Sequence, residues 1–584
     1  MQKSATMANL NNMNDSSIQL MDITTLKAVL ADLRKKIIPS RLEKIQQSDT
    51  HTLQIAFRTL KRLIWIEISW HADSPRIVEI QSPPPIKGES TLSKQIKYGA
   101  SGMALIELKQ EGFDRVIQFG LALRPKGDFQ KFLLVEIMGR HSNLLLLDAK
   151  RQVITLGKQI RQTQSRLRPI STGDIYIPPP KLKGLKPNKN LSFQDWKEKL
   201  SILPPIPLKQ ALNETFQGIS PSLSLQLVND DKFSAQELIN LPVKELSEQD
   251  WFKIYLRWIR WLKNIEEETF CLCFQGPTDY RVWRANTSSH ELDEGISLEL
   301  GEYYKKALEG KKLIKEFNLF SKELIKKKGI EENCLKEQQT LYTNISNVMV
   351  LQEKADSILC QENLSKENIK EAQNIYHRVK KMKRSKNVLI ERINYHNEKI
   401  RFINETDLFL EYIINNSNIN TIEKVESISN LKRDVEAYLC LKKNSKKLRH
   451  SPQNTLKNIL QLKSPSGLDI QIGRNHNQNE FISLKKARKG DIWFHAQECP
   501  GSHVVLKASN GKVEDEDLVT GANLAAFFSK AKSNNRVSVL MVSTNQLQKL
   551  KGTAPGVVSP RGSKVLWGLP SNGQEYLEQS TKNA

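Results

Sequence analysis

The stretch GRNHNQNEFISLKKARKGDIWFHAQECPGSHVV, Gly473 to Val505, decides how this chain is read. It sets Arg474, Asn475, Asn477, Gln478, Asn479, Lys485, Lys486, Arg488 and Lys489 beside Trp493, Phe494, His495 and His503. Guanidinium and ammonium groups neutralise phosphates, while amides pair with base edges and 2′-hydroxyls. Exposed aromatic rings and imidazoles stack on unpaired bases. The same residues also suit a strand-rich core with a polar rim. Residue chemistry alone does not separate the two.

Outward from this stretch, composition favours a polyanion. Over 584 residues, 88 Lys and Arg face 64 Asp and Glu, a formal net charge of +24, which selects for RNA, DNA or an anionic membrane. The length implies several domains. No apolar run nears the ~20 residues that span a bilayer. The first twenty residues lack the apolar centre of a secretory signal. Cysteines are scattered, and the one-residue gap of Cys271 and Cys273 is not a zinc spacing. A cytoplasmic protein is expected. His495, Cys499 and His503 mimic a metal triplet, but Pro500 and Gly501 break any helix that would align them, and a fourth ligand is not evident. No phosphate-cradling Gly-x-x-x-x-Gly-Lys-Ser/Thr occurs either. Neither a metal nor a cofactor is expected.

Along the chain, residues 1–20 are polar and aperiodic and read as a disordered leader. Ile23, Leu26, Val29, Leu30, Leu33 and Ile37 then keep helical spacing. Strand-like runs begin at Leu53, Leu63, Arg76, Asp114, Phe132, Asn143 and Gln152, and the breaker IYIPPP closes this α+β domain near residue 180. Residues 190–263 turn helical. Within them Gly218 to Pro221 forms either a helix-hairpin-helix turn, whose amides grip phosphate, or an ordinary helical turn. FCLCF and YRVWRAN, in residues 264–302, are expected to complete the N-terminal sheet. From 303 to 448 four-three alternation over two tracts predicts an antiparallel coiled-coil arm. Basic clusters HRVKKMKRSK from His377 and KKNSKKLRH from Lys442 lie on it. They are solvated faces or phosphate contacts. An α+β domain over 455–570 and a flexible tail over 571–584 complete the reading.

Two N-terminal patches carry further chemistry. Phe113-Asp114-Arg115 opens a strand, and Glu136-Ile137-Met138-Gly139-Arg140-His141-Ser142-Asn143 lies between two strands. The second joins a carboxylate, a guanidinium, an imidazole, a hydroxyl and an amide around a turn-forming glycine. A structural ion pair and turn is the competing explanation.

The order FDR, EIMGRHSN, YIPPP, QGISP, helical arm, GRNHNQNE and DIWFHAQECPGSHVV resembles the NFACT family from Met21 onward. The resemblance implies an N-terminal domain folded like formamidopyrimidine-DNA glycosylases, helix-hairpin-helix elements, a coiled coil that spans the ribosome, and a terminal RNA-contacting domain. Asp114 and Arg115 match a pair implicated in gripping tRNA. Glu136, Arg140, His141, Ser142 and Asn143 join them as the implied tRNA site. The implied RNA site comprises Arg474, Asn475, Asn477, Asn479, Lys485, Lys486, Arg488, Asp491, Trp493, His495, Ser502 and His503. One departure stands where the family has Leu-Arg-Lys: here the run is Leu92-Ser93-Lys94, with Lys97 replacing an Arg and its bidentate fork. Glycosylase chemistry is not implied, because Met1-Gln2 or Met21-Asp22 stands where those enzymes need an N-terminal Pro and a carboxylate.

The implied function is ribosome-associated quality control. Such a protein binds the obstructed large subunit with its peptidyl-tRNA and recruits tRNA, for alanine in bacterial members. Stalled chains then gain a C-terminal tail without mRNA. The ribosome forms the bond, so the chain reads as a binding factor rather than an enzyme. Two other classes compete: a fibronectin-binding surface adhesin, and a nucleic-acid glycosylase or nuclease.

Overall fold

Asp22 starts the first helix. In the computed structural model its carboxylate accepts the Thr25 amide at 2.8 Å, a cap that satisfies an otherwise orphaned donor of α1 (Ile23–Ile37). Arg34, Lys35 and Lys36 close that helix where its dipole favours cations. The structure describes residues 18–439 and 459–582, apart from 87, 166–167, 203–205, 276–277, 286–294, 346–347, 361–364, 417–418, 550–552 and 554. The chain divides into two units, Met1–Glu309 and Gly310–Ala584.

In the first unit α1 packs on a nine-stranded antiparallel sheet. Its strands are β1 (Ser40–Asp49), β2 (Thr52–Arg58), β3 (Leu63–Ser69), β4 (Arg76–Ile80), β5 (Ala104–Gln110), β6 (Val116–Ala122), β7 (Phe129–Glu136), β8 (Asn143–Asp148) and β9 (Val153–Leu156). Their order is β4-β3-β2-β1-β5-β6-β7-β8-β9, with α2 (Thr91–Ala100) in the crossover from β4 to β5. Two of these strands, β1 and β5, lie outside the strand-like runs read in the sequence. Register shifts at Leu42/Lys44 and Gln47/Asp49 in β1 and at Leu105/Glu107 in β5 interrupt the period of two, as do shifts at Leu121/Ala122 between β6 and β7 and at Leu146/Leu147 between β8 and β9.

Helices α3 (Phe193–Ser201), α4 (Leu208–Thr215), α5 (Pro221–Val228), α6 (Lys232–Asn240) and α7 (Glu248–Glu266) follow. Trp251, Trp258 and Trp261 of α7 are buried with Trp196, and all share one core with α1 and the sheet. Trp261 Nε1 donates to Thr24 at 3.0 Å, tying α7 to α1. The strands β10 (Phe270–Phe274) and β11 (Tyr280–Trp283) do not extend the large sheet as expected; they pair only with each other. The leader also ends earlier than its composition implies. Ile18 and Gln19 are buried, because the Gln19 amide bonds the main chain of Tyr280 in both directions, at 2.9 and 3.1 Å.

Four helices, α8 (Ile296–Ile345), α9 (Val348–Leu359), α10 (Lys366–Asn415) and α11 (Thr421–Leu439), dominate the middle of the chain. Glu331 meets His396 at 2.6 Å and Lys399 at 3.0 Å, Gln352 meets Lys383 at 3.0 Å, and Asp356 meets Tyr376. Partner numbers on α10 fall as those on α8 and α9 rise, so the helices run antiparallel.

The terminal sheet contains β12 (Leu460–Lys463), β13 (Asp469–Ile472), β14 (Ile492–Ala496), β15 (Val504–Leu506), β16 (Val537–Ser543) and β19 (Lys564–Gly568), in the order β12-β13-β15-β14-β16-β19. A two-residue pair, β17 (Leu547–Gln548) and β18 (Ser559–Pro560), lies beside it. The short α12 (His476–Glu480) continues into a wide π turn, Phe481–Lys485. Helix α13 (Asp515–Phe527) packs on one sheet face. The expected flexible tail is instead α14 (Pro570–Lys582). Gly573 lets it approach the Asn523 carbonyl of α13 where no side chain would fit, and Tyr576 donates to the Lys463 carbonyl at 2.7 Å. Among the described residues no helix is long and apolar enough to cross a membrane.

Candidate nucleic-acid interface

Three motifs far apart in sequence meet in the first unit. Arg115 immediately precedes β6, and its carbonyl accepts the Ile137 amide at 2.9 Å, while Val116 pairs with Glu136 of β7. The Asp-Arg pair and the EIMGRHSN turn therefore share one end of adjacent strands. Phe113 is buried against Trp261, with Lys27 above its ring at 5.9 Å. Gly218 has φ +77°, and a Cβ there would lie 2.7 Å from Phe113 and 3.0 Å from Ile23. Only glycine fits this left-handed, close-packed turn. Ser220 then caps α5 and donates to Asp22 at 2.6 Å.

The Arg115 side chain lies at this junction, half-buried. Burial lowers its pKa, and the Asp22 charge works in the opposite direction. It has no hydrogen-bond or ion-pair partner among the described residues, and neither has the exposed Asp114 carboxylate. A partly desolvated guanidinium with an unused fork is suited to a phosphate or a base edge.

The EIMGRHSN motif divides by direction. Glu136 is 1% exposed and accepts both arms of the Arg168 guanidinium, at 2.9 and 2.5 Å, as well as the Tyr176 hydroxyl at 2.9 Å. Burial and the Glu136 charge push the Tyr176 phenol pKa up. Ser142 accepts the Met138 amide at 2.8 Å. Asn143 accepts the amides of Leu144 and Lys158, at 2.9 and 2.8 Å. Glu136, Ser142 and Asn143 thus hold the turn from inside, and Gly139, at φ +58°, reverses the chain. Arg140 and His141 are exposed. Arg168 and Tyr176 were missed in the sequence because no local pattern links them to a carboxylate 32 and 40 residues away. Ser93, at the departure from the family run, is buried and donates to the Ser90 carbonyl at 2.9 Å.

The terminal stretch divides in the same way. Asn475 caps α12 through the Gln478 amide at 2.7 Å, Asn477 donates to Asp434 at 2.5 Å, and Asn479 accepts the His503 amide at 3.1 Å. Asp491 accepts Lys507 at 2.9 Å and Ser509 at 2.7 Å. Ser502 donates its amide to Phe528 at 2.9 Å.

The rings expected to stack on bases are instead buried against one another. Trp493 lies parallel to His495 at 5.5 Å, and His503 meets both edge-on. Burial pushes the His495 pKa down to about 4 and lowers that of His503. Apolar strands flank these rings on a sheet face that α12 and the π turn cover, so no base reaches them. Lys485, Arg488 and Lys489 are exposed, while Lys486 and Arg474 are half-exposed. Among the described residues no group of three or more His, Cys, Asp or Glu could hold a metal. Arg378, Lys380, Lys381, Lys383, Arg384 and Lys386 project from α10; the cluster from Lys442 lies outside the described residues.

Outward cations on an α+β multidomain chain define a polyanion-binding class of protein. Family models make the class specific. The NFACT N-terminal and middle domains match residues 22–371, and the NFACT protein RNA binding domain matches residues 455–562. The chain belongs to the NFACT family. It is 26% identical over 561 residues to the Rqc2 homolog RqcH of Streptococcus suis (strain 05ZYH33), covering 94% of this chain and 97% of that protein. The Rqc2 homolog RqcH of Bacillus subtilis (strain 168) is also 26% identical, over 575 residues, covering 90% and 94%. A solved C-terminal part of the fibronectin/fibrinogen-binding protein from Streptococcus suis aligns at TM-score 0.37 and 25% identity. That alignment covers 46% of this chain and 98% of the solved one.

Proposed function

We propose that this chain works in ribosome-associated quality control as a ribosome-binding, tRNA-recruiting factor. It binds the obstructed large subunit with its peptidyl-tRNA and brings in tRNA, that for alanine by family resemblance, to extend the stalled chain without mRNA. The observation that carries this reading is Arg115: a half-buried guanidinium without a partner among the described residues, where the Asp-Arg, EIMGRHSN and Gly218–Pro221 segments meet. Arg140 and His141 extend that surface, and Asp114 lies beside Arg115. In this reading Glu136, Ser142 and Asn143 act by shaping the turn. The glycosylase-like domain of residues 21–180 and the helical region of 190–263 hold tRNA. The arm of residues 303–448 serves as a coiled coil reaching across the subunit, and Lys485, Lys486, Arg488 and Lys489 of the terminal domain neutralise RNA phosphates.

The chain supplies positioning. Holding an aminoacyl end near the ribosome's own centre converts a rare encounter into an oriented one. Affinity purification of the full chain under nuclease control, followed by sequencing of the bound RNA, tests the reading. Large-subunit rRNA with a narrow tRNA set is the expected result. Recovery of extracellular protein without RNA, or cleavage of damaged DNA in vitro, overturns it.

A further inference from the structure

With Trp493, His495 and His503 buried, a base that stacks on the terminal unit would use another surface. The edge strand β19 supplies one. Its Leu566 packs toward the core beneath α13, and Gly568 lies against the Ala522 carbonyl with no room for a Cβ. Strand alternation sends Val565 and Trp567 to the opposite face, where they stand opposite Leu540 and Ser538 of β16. Trp567 is 65% exposed and Val565 50%. An indole and a second apolar side chain thus lie open side by side on one sheet face.

Charge surrounds it. Arg561 precedes the strand, and Arg536 precedes β16 at the end where Val537 pairs with Gly568. Both are exposed, and neither has an ion-pair partner among the described residues. Lys564 opens β19 opposite Met541 and falls, by the same alternation, on the Leu566 face. The matched RNA-binding domain ends at residue 562, so β19 lies beyond it.

We propose that Trp567 is a stacking platform for an unpaired base of single-stranded RNA, with Arg536 and Arg561 holding the flanking phosphates. The inference rests on the RNA-binding role proposed above and adds a residue and a ligand class to it. A base uses both the aromatic face and the cations. A protein strand added to the edge would pair the main chain and leave both cations unanswered.

The test is binding of a labelled, unstructured oligoadenylate to the full chain. Trp567→Ala is expected to weaken it by about 5- to 100-fold, while Trp567→Phe retains most of the affinity and loses the RNA-dependent quenching of indole fluorescence. Arg536→Ala with Arg561→Ala is expected to flatten the salt dependence, which Trp567→Ala leaves intact. Binding of blunt duplex RNA should not respond to Trp567→Ala. Wild-type oligoadenylate binding by that variant overturns the platform and leaves the proposed function standing, as does an equal loss on duplex. Reduced capture of a ribosomal protein with RNA binding unchanged assigns a protein to β19 and also overturns it. Failure of the full chain to bind any RNA overturns both readings.

Discussion

Ser220 donates its hydroxyl to Asp22 at 2.6 Å across 198 residues of chain. The same carboxylate caps α1 and is the anion that faces Arg115. One side chain thus fixes the start of the first helix, the turn before α5 and the charge environment of the proposed tRNA contact.

Replacing Asp22 by Ala removes the cap and leaves Ser220 without its acceptor. The N-terminal unit should lose about 1–2 kcal/mol, read as a lower urea midpoint followed by tryptophan fluorescence. Asp22→Asn keeps a capping oxygen and should hold most of that stability. Equal losses in both variants would show that charge, not capping, fixes this corner.

Replacing Asp114 and Arg115 together by Ala should abolish tRNA co-purification and leave large-subunit binding in place. Neither side chain has an internal partner among the described residues, so the melting temperature should barely move. Wild-type tRNA levels in this variant would remove the assignment.

Much of this architecture is legible in the residues themselves. Leu26, Val29, Leu30, Leu33 and Ile37 mark α1 because its stripe faces a dry core; β3 and β9 keep alternation, while β2, β4 and β8 are near-continuous buried runs. The arm's antiparallel course follows from two four-three tracts around a polar break. What stays hidden is set by long-range contact. Gln19 looks like leader until Tyr280 bonds it. The tail looks solvated until Gly573 docks on α13. In the candidate sites, residue type identifies the motifs but not their direction. Glu136 and Arg140 lie four residues apart, one buried in an ion pair and the other in solvent. Trp493 and Trp567 could each stack on a base; only position in the sheet separates them.

Glu136→Gln separates structure from recognition. The Gln side chain leaves the Arg168 guanidinium, 14% exposed, without its carboxylate. Breaking such a buried pair costs about 3–5 kcal/mol. Thermal unfolding should fall sharply, and tRNA binding should fail only to the extent that the turn loosens. Loss of tRNA at unchanged stability would instead assign Glu136 a direct contact.

Deleting Leu341 to Lys381 removes the distal parts of α8 through α10 and keeps the Glu331 pairing with His396 and Lys399. The proposed spanning arm then becomes too short. Subunit co-sedimentation should weaken while the circular-dichroism melt of the terminal sheet persists. Unchanged sedimentation would count against a spanning arm.

The last prediction concerns pH. Glu405 of α10 is buried, bonded to Arg401 at 3.1 Å and 3.5 Å from the His476 ring. Burial raises its pKa to about 7 from 4.5. Below the lower value both folded and unfolded chains are protonated and nothing is lost. As pH climbs toward 7, the unfolded chain sheds its proton while the folded one resists, so stability falls, by up to about 3 kcal/mol. Asp434, raised to about 7 by burial, adds loss in the same direction. His476 works oppositely: burial lowers it from 6.5 to about 3, so its penalty grows as pH falls below 6.5. Glu405→Gln cannot ionise. Its melting temperature relative to wild type should therefore rise between pH 5 and pH 8 and level off above. Subtracting the two curves cancels most of what His476 and Asp434 share. A difference that stays flat, or shrinks with rising pH, would show that Arg401 keeps the Glu405 carboxylate ionised in the folded chain.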